Sequence, residues 1–257
     1  MSLRFRWLGV AGLELRFDQF TLAVDPFFTR PSLLGLIKPV IPDAALLIEK
    51  LPVCDAVLVT HSHWDHLMDV PSVLQHTGAA AYGSPNACTL LKLHGIPGSQ
   101  VMEVCPGDRM TIGPIEVEVV PGQHSSIPFG WVFNGKLRSG IKPPLRMQDY
   151  RMDFCLGYLI HGCGTRVLVC AARPQATDVL FIVAQESRQY YLDMISRARP
   201  HTIVPIHWDN FIRPLSKPIR GFTRPGRMGL GKIQHLAQTT LPEAKEIVPE
   251  WFVEYTL

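Results

Sequence analysis

Long apolar runs are the first thing this chain lacks. Its most apolar stretch, residues 32–52 (SLLGLIKPVIPDAALLIEKLP), is broken by Lys38, Asp43 and three prolines. A helix that crosses a bilayer needs about 20 mostly apolar residues in a row, so no transmembrane segment is expected. The opening MSLRFRWLGVAGLELRF has no long apolar core of a leader and passes directly into strand-like alternation, so no secretory signal is expected either. An excess of one charge is also missing. The 25 Lys and Arg against 22 Asp and Glu leave a formal net charge of +3, too weak to predict nucleic-acid binding from charge alone. The six cysteines, at 54, 88, 105, 155, 163 and 170, form no CxxC pair. Buried free thiols rather than a disulfide framework are expected, and with the missing leader this points to the cytoplasm. No short-period repeat or low-complexity tract is present.

What remains is the composition of an ordinary globular protein. With 257 residues, 47% hydrophobic and 18% charged, the chain can bury a large core, and β-rich sandwiches reach this length as one domain. The first half reads as strands over RFRWLGVAG, LELRF and TLAVD, then a short helix at residues 42–51, a buried strand CDAVLVT, and a proline-interrupted helix ending at Gly78. A short strand and a well-signed helix follow, with Ser84 as N-cap, Pro85 in its first turn and Gly95 at its end. Strands QVMEV, RMTIG and IEVEVVPGQ come next, and the second half returns to strands with MDFCLGYLIH, TRVLVC and DVLFIVA, then a helix from Glu186, the buried strand HTIVPIHW, a short helix and a terminal WFVEYTL strand. Two long irregular segments, 125–151 and 209–231, interrupt this pattern. Each half runs strands first, then strand and helix mixed, which is compatible with two similar halves, roughly 1–115 and 116–257, packed as one domain over 1–257.

The densest chemistry lies in VLVTHSHWDHLMD, residues 57–69. His61, His63, Asp65 and His66 fall within six residues on the exit of an apolar β-branched run. Imidazole and carboxylate suit zinc and other first-row metals, but a two-metal site needs more than four ligands. Two further histidines occupy the same kind of place: His124 in VEVVPGQHSS and His207 in TIVPIHWDN, each at a strand exit. Strand ends gather functional groups on a rigid scaffold. Three histidine-bearing strand ends imply a site assembled along one sheet edge. The remaining histidines, at 76, 94, 161, 201 and 235, are read as surface or core residues.

The constellation His61-x-His63-x-Asp65-His66, followed by His124 and His207, resembles the metallo-β-lactamase-fold superfamily of metal-dependent hydrolases. The opening strands and Asp25 in its Asp-Pro pair resemble that family as well. PIHWDNF and the DVLFI strand resemble more narrowly the branch of ascorbate-6-phosphate lactonase-like and N-acyl-phosphatidylethanolamine phospholipase D-like proteins. The resemblance implies an α+β, four-layer αββα sandwich with the metals at one edge of the two sheets. It implies one or two divalent ions, zinc first and manganese or iron as alternatives. His61, His63 and His124 would hold one ion; Asp65, His66 and His207 would hold the other. Asp65 would also orient the attacking hydroxide, and Asp25 would accept a ligand's ring N–H. The implied activity is hydrolysis of a small phosphodiester, lactone or related ester.

One feature of the family pattern is missing. The carboxylate that usually bridges the metals, after a strand of the second half, is replaced by Ala171 and Ala172 in VCAARPQ. The link from Cys170 to Asp178 is also short for a parallel crossover. Cys170 and Asp209 are the substitute candidates, and Asp178 begins a strand rather than ending one. The alternative to a hydrolase is therefore a mononuclear or non-catalytic relative acting as a ligand-binding or scaffold protein. A nuclease is the weakest reading, because no concentrated basic stripe appears outside residues 209–231. The cations of that segment (Arg213, Lys217, Arg220, Arg224 and Arg227) and an apolar wall from Phe27, Phe28, residues 32–41, Phe129, Trp131, Phe133, Ile141 and Pro143-Pro144 suggest a small substrate that is anionic and partly apolar.

Overall fold

Alternation within the early strands sets two buried faces on one sheet. Leu22 and Val24 join one apolar cluster and Ala23 another; Ala56 and Leu58 join the first, Val57 and Val59 the second. Successive side chains on a strand point to opposite faces, so this sheet is covered on both sides. The computed structural model describes residues 2–32, 38–125 and 130–257; Phe129 and residues 33–37 of the predicted apolar wall lie outside them.

The first sheet contains β1 (Leu3–Gly9), β2 (Gly12–Phe17), β3 (Phe20–Val24), β4 (Ala56–Leu58), β5 (Ala80–Gly83) and β6 (Val101–Glu103), with β14 (Glu254–Thr256) returning to pair with β1. The second sheet contains β7 (Arg109–Ile112), β8 (Ile115–Pro121), β9 (Leu156–Gly162), β10 (Thr165–Val169), β11 (Val179–Val183), β12 (Thr202–Ile206) and β13 (Lys245–Glu246). The orders are β14-β1-β2-β3-β4-β5-β6 and β13-β12-β11-β10-β9-β8-β7. The change of sheet falls between Glu103 and Arg109.

Helices close both outer faces. On the first sheet, α1 (Ala44–Lys50), α3 (Val70–Thr77) and α4 (Pro85–Leu93) bury Leu47, Val73, Leu74, Leu90 and Leu91. On the second, α6 (Arg188–Ala198) and α7 (Leu230–Thr240) bury Met194, Ile195, Ile233 and Leu236. The α+β, four-layer αββα sandwich expected from the resemblance is the observed architecture. Local chemistry starts and stops the helices. Ser84, Asp43 and Ser187 accept hydrogen bonds from the amides of Ala87, Leu46 and Tyr190, and Gly78 ends α3 in the left-handed region.

The proline-interrupted helix expected to end at Gly78 is found as α2 (Trp64–Leu67) and α3, parted just ahead of Pro71. Other elements differ from expectation. A four-residue helix, α5 (Gly130–Phe133), lies in the long segment read as loop. The terminal strand is only Glu254–Thr256, and the two-residue β13 was too short to show a pattern. The short link 170–178 does join parallel neighbours: Val167 pairs with Val179 and Val169 with Phe181. No helix is needed because Val169, the end of β10, already faces Phe181, so the chain retreats only two residues, about 7 Å at ~3.3 Å per residue, before β11 begins at Val179. All six cysteines are free; Cys54, Cys88 and Cys170 are buried as expected, but Cys105 is exposed and Cys155 and Cys163 are half-buried. No helix among the described residues is long and apolar enough to cross a membrane.

Strand direction brings the functional ends together. β3 and β4 run parallel, and so do β10, β11 and β12. Two antiparallel steps, β8 to β9 to β10, make β8 parallel to them as well. Asp25, His61, His124, Cys170 and His207 therefore all leave the sandwich at one edge. Direct bonds tie the two sheets there: the Leu156 amide donates to Thr60 O at 2.7 Å, and Tyr158 Oη donates to Val59 O at 2.7 Å.

Tyr158 is fully buried, so Tyr158→Phe leaves the Val59 carbonyl without this donor and removes one clamp on the loop after β4. Urea denaturation should show a loss of about 1–2 kcal/mol; an unchanged midpoint would show that the phenol does not hold the sheets together here.

Candidate metal centre

The loop from Thr60 to His66 rises from β4 and turns at once into α2, which places its ring-bearing residues on one side. The structure gathers the six predicted ligands into two groups: His61, His63 and His124, and Asp65, His66 and His207. Within each group the candidate ligand atoms lie within 4.8 Å of one another. The groups adjoin, with the His61 and His66 ring centroids 3.8 Å apart. His63 Nδ1 is 3.1 Å from His124 Nε2, and Asp65 Oδ2 is 3.6 Å from His207 Nε2 and 3.8 Å from His66 Nε2.

Three of the ligands are held from behind. Asp25 Oδ2 lies 2.7 Å from His66 Nδ1, which sets that nitrogen as donor and leaves Nε2 with its lone pair toward Asp65 and His207. Asp25 itself accepts from the Thr60 amide at 2.7 Å and from the Thr60 hydroxyl. His63 Nε2 faces Phe133 O and Asn134 Oδ1, both at 3.2 Å, which aims Nδ1 at the site. Thr60 Oγ1 lies 3.0 Å from His61 Nδ1. The opposite atom, His61 Nε2, is buried and has no hydrogen-bond partner. Buried polar atoms are rarely left unpaired, and an orphaned imidazole nitrogen beside two others is what a metal ligand looks like without its ion. The donor set and this orphan fit a divalent cation in each group.

Electrostatics agree. Burial, reinforced by the neighbouring imidazoles His66, His63, His124 and His207, holds His61 well below its ordinary range. Burial also lowers His63, and burial with His63 and His66 lowers His124 to about 3. Burial pushes the other way on Asp65, but His66, His207 and His63 outweigh it and keep the carboxylate ionised. For His66, burial is outweighed by Asp25 and Asp65, and its value is raised.

Backbone strain accompanies this edge. Val10, Asp25, Cys170, Gln185 and His207 all have positive φ, between 43° and 75°. Such conformations cost about 1–3 kcal/mol each and persist where the surroundings over-determine them. At Val10 the determinants are visible. Its carbonyl accepts from the His207 amide at 2.7 Å and from Trp7 Nε1 at 2.9 Å, and its amide donates to Asp209 Oδ1 at 3.0 Å. The other Asp209 oxygen takes Arg30 Nη2 at 3.1 Å and Trp251 Nε1 at 3.2 Å.

Asp209 is therefore not the missing bridge: both oxygens are engaged, and it acts on His207 only through the Val10 backbone. Cys170 faces the same cavity, yet it joins neither ligand group among the described residues, and burial raises its thiol well above the ordinary range. Asp178 binds the Arg166 amide at the start of β11, away from the site. At Ala171 and Ala172 the backbone is bound to β8, through a bridge from Ala171 to Gly122 and a 2.8 Å bond from the Ala172 amide to Pro121 O. Among the described residues, no carboxylate replaces the bridge.

Over the histidines lies a cavity of about 370 Å³, with Trp64, Phe133, Met147, Val183, Phe211, Phe222 and Arg224 in its walls. Among the described residues of the predicted apolar wall, only Phe133 lines it. Phe27 and Phe28 are fully buried in the core, Ile141 packs on that core, and Trp131 points outward. Of the five cations in residues 209–231 only Arg224 lines the cavity. Asn134, Val10, Arg30 and Cys155, whose Sγ lies 3.9 Å from His61 Nδ1, carry no sequence signal: each is far in sequence from the ligand it meets.

With fold and site described, the family is defined. The chain belongs to the beta-lactamase superfamily domain family, whose model matches residues 21–171. A UPF0173 metal-dependent hydrolase of Methanopyrus kandleri is 28% identical over 146 residues, covering 52% of this chain and 58% of that protein. One from Myxococcus xanthus is 30% identical over 121 residues, 47% of this chain and 38% of that one. The matches thus span less than two thirds of these relatives' own length. Among solved structures, the metallo hydrolase Igni18 of Ignicoccus hospitalis superposes with a TM-score of 0.68 at 18% identity, over 100% of this chain and 99% of that one. CmlA, a diiron beta-hydroxylase of Streptomyces venezuelae, gives 0.57 at 14% identity, over 100% of this chain and 53% of that one. At these identities the structural likeness is one of fold.

Two outcomes follow from the site. In metal-free protein, His61, His63 and His124 stay neutral while the unfolded chain protonates near 6.5, so stability falls as pH drops below that value. The limiting slope is about 1.4 kcal/mol per pH unit for each histidine. His66, with its raised value, contributes in the opposite sense: its stabilisation is present below 6.5 and is lost as pH rises through the folded value. Three against one gives a net loss between pH 6.5 and 5. Urea melts of chelator-stripped protein at pH 7 and 5 should show it, and equal midpoints would contradict it. Asp25→Asn should weaken binding at the Asp65, His66 and His207 group by about 10–100-fold, read by competition with a chelating dye; unchanged affinity would remove Asp25 from any orienting role.

Proposed function

We propose that this protein is a metal-dependent hydrolase holding two divalent ions, zinc first with manganese or iron as alternatives, through His61, His63 and His124 and through Asp65, His66 and His207. The observation that carries the reading is the paired ligand groups, complete in six residues and backed by Asp25, Asn134 and Thr60. When bound, such ions supply an acidified water and a Lewis acid for the scissile oxygen. The chain's own residues do the rest. Asp65, kept ionised by its histidine neighbours, binds and orients the attacking water. Asp25 and Asn134 lock the rings of His66 and His63. Trp64, Phe133, Met147, Phe211 and Phe222 exclude bulk water from the cavity, which strengthens every charge interaction inside it.

The apolar walls and Arg224 support a substrate with an apolar body and an anionic group, which we take to be a small phosphodiester, lactone or related ester. The narrower likeness to the ascorbate-6-phosphate lactonase-like and N-acyl-phosphatidylethanolamine phospholipase D-like branch points the same way. We read residues 1–257 as one domain, working in the cytoplasm, without a nucleic-acid partner. The absence of a bridging carboxylate at Ala171 and Ala172 favours a second reading, a mononuclear or non-catalytic binding protein.

Metal content per folded chain, after zinc or manganese loading, separates them. About two equivalents, with turnover of phosphodiester or lactone probes abolished in His63→Ala, is the expected result. One equivalent or fewer, with no turnover across such a panel, would move the protein to the second reading.

A further inference from the structure

A face beside the cavity combines exposed apolar side chains with cations and carries almost no acid. From residue 26 to 42 and from residue 119 to 148 the sequence contains no Asp or Glu. The structure brings the ends of these two stretches together: Pro39 pairs with Arg146, and the Val40 amide donates to Leu145 O at 2.8 Å. The helix α5 joins the same face, since it packs against the turn Met147–Asp149 that directly follows Arg146. Lys38, Lys136, Arg138, Lys142 and Arg146 are all exposed, and none forms a salt bridge among the described residues. Asp149, the first acid after the stretch, accepts from the Arg146 amide.

The apolar members are the most exposed of their kind. Trp131 is 76% exposed and Ile41 72%, above every other large hydrophobic residue among those described. Pro39, Pro143 and Pro144 are exposed between them. These five cations exceed the formal net charge of +3 of the whole chain, which carries one other long acid-free cationic stretch at residues 210–242. The site's own wall continues into it: Phe133, in the same short helix as Trp131, and Met147, next to Arg146, both line the cavity.

We propose that this face, Trp131 and Ile41 ringed by Lys38, Lys136, Arg138, Lys142 and Arg146, docks on the surface of an anionic lipid bilayer. An indole places its ring at the headgroup level with its N–H in water. Ile41 and the prolines enter the acyl boundary, as on a shallow interfacial anchor. The cations meet anionic headgroups, each adding about fivefold to partition. A nucleic acid satisfies the cations and stacks on the indole, but offers nothing to Ile41 and the prolines. Docking turns the cavity mouth toward the membrane, where a partly apolar ester is concentrated. The docking itself does not depend on the hydrolase reading.

The test is co-sedimentation of the full, metal-loaded chain with phosphatidylcholine vesicles, with and without added phosphatidylserine. Binding is expected to the anionic vesicles, weakened at high salt. It should fall about tenfold or more in Trp131→Ala. The triple variant Lys136→Gln, Arg138→Gln, Lys142→Gln should lose the preference for anionic lipid. These exposed positions leave the core untouched, and circular dichroism confirms folding. No binding to either vesicle, equal binding by Trp131→Ala, or binding to a single-stranded oligonucleotide without binding to vesicles would each overturn the proposal. Because the readout is binding, it is independent of whether any ester is turned over.

Discussion

Imidazoles crowded in a buried edge are the constraint on which the rest of this structure depends. His61, His63, His66, His124 and His207 stand within one cluster of rings, and burial makes an added proton costly on His61, His63 and His124. Lone pairs so placed repel one another unless a cation sits among them. The fold must hold them against that repulsion, and it does so with backbone bonds across the two sheets: Thr60 O to the Leu156 amide, Val59 O to Tyr158, and Val10 O to the His207 amide. The positive φ values at Val10, Asp25, Cys170, Gln185 and His207 belong to the same requirement, since each turns the chain sharply at a strand end.

The two ligand groups have different support. In the first group His61 and His63 are backed by neutral partners, Thr60, Phe133 O and Asn134. The other group is embedded in charge: Asp25 behind His66, Asp65 as a ligand, and the buried Arg30–Asp209 pair anchoring the turn that holds His207. A buried ion pair is weak evidence of stability, but this one has a geometric task, keeping the Val10 turn in place. Without a bridging carboxylate, a second ion held by Asp65, His66 and His207 would depend on that anchored framework more than in the usual pattern of the family. The cavity above is mostly apolar, with Arg224 as its one lysine or arginine, and the cationic, tryptophan-bearing face beside it extends the apolar character outward.

Legible in the sequence by itself were the six candidate ligands and, through the family resemblance they carry, the architecture. HxHxDH at the exit of an apolar strand, with His124 and His207 at two more exits, pointed to a metal at one sheet edge, because those residue types at that spacing have few other uses. Alternation over TLAV and the capping signals at Ser84 and Gly78 were local, and local rules read them. Tertiary structure alone decided what lies between elements. It assigned Asp209 to Arg30 and Val10 rather than to a metal, buried Phe27 and Phe28 in the core, sent Trp131 outward, and supplied Asn134 to His63 across 71 positions. It also joined β10 to β11 by a helix-free link, which rests on the register of the two strands. The reason is common to all of these: a side chain's partner across a sandwich is set by strand direction, register and the closing of loops, and those are properties of the packed sheets that no neighbouring residues encode.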